Sequence, residues 1–191
     1  IEQINLVENL IKTNTQALVV VDPVLGDHGS LFPIFDDSYV MEMKKLVSMA
    51  DLITPNITEA NLLLGLNPDQ FGYKDSDLKN ICRDLSKLGP GLVIITGFLI
   101  DGYIYNISYD AHTDTMVKFG KPYNKMSFSG TGDIFTSIVA ALITRDFDIG
   151  DSCQIATDFI FDAVKYTSSL DGIDRNDGIM FEEFLGKLCQ L

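Results

Sequence analysis

Apolar and polar residues are arranged along the chain in blocks that predict strands and helices in turn. Continuous apolar runs at 17–21 and 92–96 are typical of buried parallel strands, and a shorter run at 52–54 stops at Pro55. Between these runs, apolar residues recur at helical spacing. The predicted helices span 2–12, 36–49, 59–64, 77–88, 131–145, 150–170 and 180–189.

A second pattern marks the middle of the chain. Residues 103–109 and 115–119 have strand character and flank the polar segment 110–114, which predicts a β-hairpin. Strands that alternate with helices form a parallel sheet covered on both faces, so we expect the hairpin to be its antiparallel edge. We predict one α/β domain over residues 1–191. Because a helical pattern already begins at Ile1, we also expect that upstream residues of the native protein are absent.

Composition and charge exclude several classes of protein. The 191 residues are 46% hydrophobic and 21% charged, which is typical of one soluble domain. A net charge of −13 argues against a nucleic-acid partner, because phosphate backbones would be repelled. No apolar run approaches the roughly 20 residues of a membrane helix, so we expect no membrane partner. Three widely spaced cysteines and the lack of a signal-like segment predict a cytoplasmic protein.

The turn Gly130-Thr131-Gly132-Asp133 carries the most specific chemical signal. It ends a polar loop and opens an apolar helical run, so free backbone N–H groups and the helix dipole converge where phosphate oxygens bind well. A carboxylate beside such a pocket is unfavourable unless it serves as a base for the group that attacks the anion. The turn therefore favours phosphoryl transfer to a hydroxyl. In the alternative interpretation, Asp133 only stabilises the helix dipole.

Polar residues also follow the predicted parallel strands, in the loops Asp22 to Gly29, Thr54 to Glu59 and Thr96-Gly97. Ligands of open α/β sheets bind beyond these strand ends. Asp22 and Glu59 offer the hard oxygens that magnesium prefers, through waters. In so acidic a chain a phosphate ligand must bring its own cation, which favours a magnesium–nucleotide complex.

Each of these residues also has a simpler interpretation. In the simpler interpretation, Asp22-Pro23 does no more than terminate a strand. Asn56 and Glu59 cap the helix that follows them, and Thr96 bonds to the backbone at a strand end. The chain has no GxxxxGK[ST] and no GxGxxG after a strand. If ATP binds, another architecture must hold it.

Five motifs, in order, resemble the pyridoxal and pyridoxamine kinases of the ribokinase-like superfamily. The resemblance implies a three-layer αβα ribokinase-like fold that lacks the family's N-terminal portion. It implies ATP-dependent phosphorylation of the 5′-hydroxymethyl group of pyridoxal, pyridoxine or pyridoxamine, by a homodimer. The motifs are VDPVLGD at 21–27, ITPNITEA at 53–60, IITG at 94–97, GTGD at 130–133 and DGIMFE at 177–182.

The resemblance also implies a role for each site residue. Asp133 is the expected base, and the N–H groups of Gly130, Thr131 and Gly132 are the expected anion hole for the γ-phosphate. The remaining roles are as follows: Asn56 and Glu59 order magnesium and its waters near the phosphates of ATP, Asp22 lies at the phosphate and cation end, Asp27, Thr96 and Gly97 contact the nucleotide, and Thr54 helps to hold a monovalent cation, K⁺ or Na⁺.

Two other functions remain open at this point. Hydroxymethylpyrimidine kinases of the same superfamily are similar around DPV and TPN, but typically carry cysteine where Asp133 stands, so Asp133 favours the B6 kinases. The second alternative is an inactive fragment that binds nucleotide, since the family's N-terminal segment supplies much of the vitamer pocket.

Overall fold

Helices and strands alternate along residues 2–190, the part of the chain that the computed structural model describes. Ile1 and Leu191, the two ends of the predicted domain, lie outside the described residues. The helices are α1 (Glu2–Thr13), α2 (Asp37–Val47), α3 (Ile57–Leu64), α4 (Asp75–Ser86), α5 (Thr131–Ile143), α6 (Ile149–Thr167) and α7 (Leu185–Leu188). The strands are β1 (Val20–Val21), β2 (Gly26–Asp27), β3 (Ser30–Leu31), β4 (Leu52–Ile53), β5 (Leu92–Ile100), β6 (Tyr103–Asp110) and β7 (Thr115–Pro122).

Five of these strands form one sheet in the order β1-β4-β5-β6-β7. Strands β1, β4 and β5 are parallel, with Leu52 of β4 opposite Val20 on one side and Leu92 on the other. Strands β6 and β7 continue the sheet as an antiparallel hairpin. The predicted α/β fold, with a parallel sheet and an antiparallel edge hairpin, is confirmed.

Helices cover both faces of the sheet, which gives the three predicted layers. Successive residues of a strand point to opposite faces. Accordingly, Val93 and Ile95 pack into a core with α1 to α4, whereas Ile94 packs into a second core with α5 and α6. All three side chains are fully buried. No helix within residues 2–190 is both long and apolar enough to cross a membrane.

The predicted helix at 180–189 is confirmed only for the single turn Leu185–Leu188. The segment also contains a 3₁₀ turn at Glu182–Phe184. The backbone N–H of Met180 donates to Oγ1 of Thr167 at 2.9 Å, which fixes the start of the segment against α6. Gly186 weakens helix formation in this segment.

Candidate active site

The Gly130 turn forms the N-terminus of α5, as predicted. Gly130 is the N-cap residue and has a left-handed backbone, with φ 78° and ψ 0°. Its position explains the glycine, because a side chain would have open space around it but would strain this backbone. The first N–H groups of α5 have no acceptor within the helix, and the turn lines a large cavity.

Asp133 lies in the first turn of α5 and is exposed to that cavity. No hydrogen bond to its carboxylate is found among residues 2–190. Its backbone oxygen accepts from Oγ of Ser137 at 2.7 Å, so this bond does not involve the carboxylate. A carboxylate in this environment can accept a proton from a bound hydroxyl.

Asp22 follows β1 and lies close to the turn. A Cβ atom at Gly132 would be 3.7 Å from Oδ2 of Asp22, so the two segments approach closely. Burial raises the pKa of Asp22 to about 6, and the negative charge of Asp133 acts in the same direction. The hydroxyl of Thr54, which donates to Oδ1 of Asp22 at 3.3 Å, opposes the shift. Asp22 therefore ends its strand, and it also carries a partly desolvated charge that a cation would stabilise.

Asn56 and Glu59 form a capping box at the start of α3. The N–H of Glu59 donates to Oδ1 of Asn56 at 2.9 Å, and the N–H of Asn56 donates to Oε2 of Glu59 at 2.8 Å. The capping interpretation is therefore correct. Both side chains also line the cavity, so capping and a role in the site are compatible.

Glu59 is the most buried acid of the site, with 5% of its surface exposed. Its other oxygen, Oε1, accepts from the N–H of Leu25 at 3.1 Å. Burial raises the pKa of Glu59 to about 8, and the charge of Asp22 adds to this effect, whereas the backbone donors oppose it. Two carboxylates with raised pKa values fit a hard cation that shares them through waters.

Asp27 lies on a small hairpin, β2–β3, which the sequence interpretation treated as an irregular loop. His28 and Gly29 form its turn with φ values of 50° and 79°, as in a type I′ hairpin. The polar residue followed by glycine was the available signal. The N–H of Gly29 donates to Oγ1 of the buried Thr58 at 2.9 Å, so the hairpin is held against α3.

Thr96 and Gly97 do not form a loop, contrary to the prediction. Strand β5 continues beyond them to Ile100, and its register with β6 shifts between Ile95 and Phe98. The two residues form a β-bulge at which Gly97 has φ 67°. Thr96 still marks the end of the parallel part of the sheet, because its N–H bonds to the oxygen of Pro55 at 2.9 Å.

One cavity of about 1060 Å³ brings almost all predicted site residues together. Thr54 is the exception. It is buried behind Asp22, and its hydroxyl lies 2.9 Å from that of Thr136 on α5. The predicted residues that line the cavity are Asp22, Asp27, Asn56, Glu59, Thr96, Gly97, Gly130, Thr131, Gly132 and Asp133.

Two cationic residues of the cavity wall, Lys165 and Arg175, were not found from the sequence, whereas the approach of Lys121 to the Gly130 turn was visible there. All three residues line the cavity. Nη2 of Arg175 donates to Oγ of Ser127 at 3.1 Å, and its backbone oxygen accepts from the N–H of Ser129 at 3.0 Å. Arg175 lies in an acidic turn more than 40 residues from this loop, and no local pattern indicated the contact.

No group of three or more His, Cys, Asp or Glu side chains in the described part of the chain could hold a metal ion. Among the predicted ligands, Glu59 provides a buried carboxylate and Asp22 a half-buried one in the same cavity. This donor set fits a cation that arrives with phosphate ligands and keeps several waters, as Mg²⁺ does.

Comparison with known protein families gives an independent result. The family described as phosphomethylpyrimidine kinase matches residues 1–176. The chain is 28% identical to the hydroxymethylpyrimidine/phosphomethylpyrimidine kinase of Aquifex aeolicus, over 86% of this chain and 63% of that protein. It is 29% identical to the pyridoxal kinase of Arabidopsis thaliana, over 71% of this chain and 44% of that protein. The chain thus spans about half to two thirds of these relatives.

Two solved structures are similar over nearly the whole chain. A protein of Bacteroides thetaiotaomicron, assigned as a phosphomethylpyrimidine kinase and crystallised with pyridoxal, matches with a TM-score of 0.91 and 35% identity, over 98% of this chain and 66% of that one. The pyridoxal kinase of Lactobacillus plantarum matches with a TM-score of 0.85 and 28% identity, over 98% of this chain and 67% of that one.

Proposed function

This chain belongs to the phosphomethylpyrimidine kinase family, and we propose that it transfers the γ-phosphoryl group of ATP to the 5′-hydroxymethyl group of pyridoxal, pyridoxine or pyridoxamine. The observation that carries the proposal is Asp133, exposed in the first turn of α5 beside the Gly130 turn and facing the same cavity as Asp22 and Glu59. The proposal treats residues 1–191 as a single kinase domain.

The proposed reaction needs a base and an anion site. A primary alcohol is too weak an acid to ionise at neutral pH, so Asp133 accepts its proton as the oxygen attacks the γ-phosphorus. The new P–O bond forms while the bond to the β-phosphate oxygen breaks, and ADP leaves. The N–H groups of Gly130, Thr131 and Gly132 stabilise the negative charge on the transferred group.

The cations of the nucleotide are assigned to the acids that follow β1 and β4, next to the Gly130 turn. Asp22, Asn56 and Glu59 would hold Mg²⁺, which would supply positive charge to neutralise the phosphates. The raised pKa values of the two acids support this assignment, because a nearby cation stabilises their ionised forms. A monovalent cation, K⁺ or Na⁺, is assigned to the region of Asp22 and Thr54.

The nucleotide contacts and the assembly complete the proposal. Asp27 on the β2–β3 hairpin, together with Thr96 and Gly97 at the bulge, contact ATP. We further propose a cytoplasmic location, on the basis of the cysteine pattern, and a homodimer, on the basis of the resemblance to pyridoxal kinases. Analytical ultracentrifugation would test the dimer, and a sedimenting monomer at micromolar concentration would contradict it.

A second function has a specific observation in its favour. The matched family and the Aquifex relative are both described by pyrimidine substrates. Hydroxymethylpyrimidine is therefore the competing acceptor, although Asp133 in place of cysteine favours the B6 vitamers. An inactive, nucleotide-binding chain is the remaining alternative.

A substrate panel tests all three possibilities. ADP release is measured with pyridoxal, pyridoxamine and hydroxymethylpyrimidine, with Asp133→Asn as the background control. The mass of the native protein is measured as well, because it shows whether residues precede Ile1. We expect turnover with a B6 vitamer. A clear preference for the pyrimidine would assign the competing function, and nucleotide binding without turnover on any acceptor would assign the inactive chain.

A further inference from the structure

A chain of hydrogen bonds connects the Gly97 bulge to helix α6. The N–H of Gly97 donates to Oδ1 of Asn106 at 3.0 Å, and Nδ2 of Asn106 donates to Oγ1 of Thr157 at 3.0 Å. The hydroxyl of Thr157 then donates to the backbone oxygen of Cys153 at 2.7 Å. Gly97, Asn106 and Thr157 all line the cavity. None of the predicted roles includes Asn106 or Thr157.

We call the hydrogen bonds from Gly97 through Asn106 and Thr157 to Cys153 the relay. Donor and acceptor are determined for each of its bonds. A backbone N–H can only donate, so Gly97 requires the oxygen of the Asn106 amide, and the amide nitrogen must face Thr157. Thr157 accepts there and uses its single proton for Cys153. The bulge interrupts the ladder between β5 and β6, so Asn106 supplies the acceptor that the ladder does not give to Gly97.

The relay ends in the hydrophobic core between the sheet and helices α5 and α6. Cys153 is fully buried and belongs to the same core cluster as Phe135 and Val139 of α5. Thr157 is 4% exposed, so water competes little for its bonds. The bulge is thus tied, through Asn106 and α6, to the helix whose first turn holds Asp133.

We propose that Asn106 is a positioning residue that holds the Thr96-Gly97 bulge at a set distance from the Gly130 turn, so that a nucleotide can contact both. The proposal rests on the proposed function, since it assigns the bulge to nucleotide binding. Loss of the relay leaves Gly97 with a φ of 67° and no acceptor within the protein to fix the direction of its N–H. The bulge then samples other conformations, and nucleotide affinity falls by the cost of ordering it again.

A similar arrangement occurs elsewhere on the same wall. Oδ1 of Asn124 accepts from the N–H of Met126 at 3.0 Å, and Nδ2 of Asn124 donates to Oγ of Ser168 at 3.1 Å. The hydroxyl of Ser168 donates to the oxygen of Val164 on α6 at 2.6 Å. Asn124 is exposed, whereas Asn106 is partly buried. Water can replace the bonds of Asn124 more easily, so its removal should cost less.

The test compares a variant that breaks the relay with one that preserves it. Thr157→Val removes the hydroxyl at nearly constant shape, and Thr157→Ser keeps it. We expect the Kd of Mg-ADP, measured by calorimetry on the full chain, to rise about 3–10-fold in Thr157→Val and in Asn106→Ala, and to stay near the original value in Thr157→Ser. Asn80→Ala, on the exposed side of α4, is the control that should change nothing.

The double variant distinguishes a relay from two separate effects. If Asn106 and Thr157 act as one unit, Asn106→Ala with Thr157→Val should bind Mg-ADP no more weakly than Asn106→Ala alone. In the kinase assay the KM for ATP should rise while kcat changes little. A merely structural role would instead lower the melting temperature and leave Kd and KM unchanged well below it.

The outcomes separate this inference from the proposed function. An unchanged Kd in Thr157→Val and Asn106→Ala would overturn the inference even if the protein phosphorylates a B6 vitamer. A weakened Kd without turnover on any acceptor would support the inference while the proposed function fails. If the unmodified chain does not bind Mg-ADP at all, the inference is overturned, because the bulge then has no nucleotide to position.

Discussion

The two sides of the cavity place their polar groups in different environments, buried or half-buried on one side and exposed on the other. On one side, which we call the acid side, Asp22, Asn56 and Glu59 are buried or half-buried, and Glu59 accepts two backbone N–H bonds. On the other side, which we call the turn side, Gly130, Gly132 and Asp133 are exposed, and the proposed function rests on backbone N–H groups and one carboxylate without a hydrogen-bond partner among residues 2–190.

The difference follows from where the elements end. Strands β1 and β4 end inside the molecule, so the residues that follow them lie between helical layers and lose water when the chain folds. Helix α5 begins at the rim of the cavity. The acid side therefore holds charge at a cost in stability, which a cation can offset, whereas the turn side leaves Asp133, the proposed base, exposed.

The largest expected effect comes from removing the base on the turn side. Asp133→Asn should lower kcat about 10²–10⁴-fold, because the amide cannot accept the proton of the attacking hydroxyl. The Kd of Mg-ADP and the melting temperature should remain close to their original values, since the carboxylate is exposed. Steady-state ADP release measures the change, and full activity in this variant would contradict the role of Asp133.

On the acid side, the corresponding change should affect stability as well as activity. Glu59→Gln keeps the shape but leaves a backbone N–H, of Leu25 or Asn56, facing an amide nitrogen that cannot accept it. We expect the free energy of unfolding to fall by about 1–3 kcal/mol in urea titrations at pH 6, where Glu59 is below its raised pKa and the cost of burying a charge does not enter the comparison. Glu182→Gln, an exposed change of the same kind, should have no effect. If the two variants have the same free energy of unfolding, the buried hydrogen bonds of Glu59 do not stabilise the fold as expected.

The raised pKa values of the acid side predict how stability depends on pH. The pKa of Asp22 is 3.8 in the unfolded chain and about 6 when folded, so the folded state binds more protons between these values. Stability without added Mg²⁺ should therefore fall as pH rises through this window, and Glu59 should extend the fall from 4.5 to about 8.

The variant Asp22→Asn tests the predicted fall in stability with rising pH. The neutral amide removes the contribution of Asp22, so the variant should be more stable than the original by about 1–2 kcal/mol at pH 7.5, while kinase activity falls. Thermal unfolding at pH 5 and pH 7.5 in the presence of a chelator measures the difference. A variant that is less stable than the original at pH 7.5 would mean that the ionised Asp22 stabilises the fold.

The smallest effect concerns the backbone of the turn. Gly130→Ala places a side chain at φ 78° in open space, so strain alone should cost about 1 kcal/mol. Gly65→Ala is the matched comparison, because that residue has φ 70° and is equally open, but ends α3 away from the turn. We expect both variants to lose similar stability and only Gly130→Ala to lower kcat. A similar loss of kcat in both variants would contradict the proposed role of the Gly130 turn in catalysis.

Features that depend on neighbouring residues could be predicted from the sequence. Buried strands follow from runs such as 92–96, and the start of α5 follows from the glycines at 130 and 132 before an apolar run. The capping box of Asn56 and Glu59 also has a local signature, because its two members are three residues apart. These interactions need only chain geometry, so the pattern of residues was enough to indicate them.

The tertiary structure alone decided the environment of each group. Glu59 is buried because Leu25, 34 positions earlier, covers one of its oxygens, and the bulge at Gly97 is held by Asn106 from the next strand and Thr157 from α6. Arg175 reaches the cavity through contacts with Ser127 and Ser129. Burial and pKa depend on all atoms near a group in space, and most of those atoms belong to residues that are distant along the chain. The sequence therefore determined which chemical groups are present, and the packing of the helices on the sheet determined which of them are charged, buried or free to react.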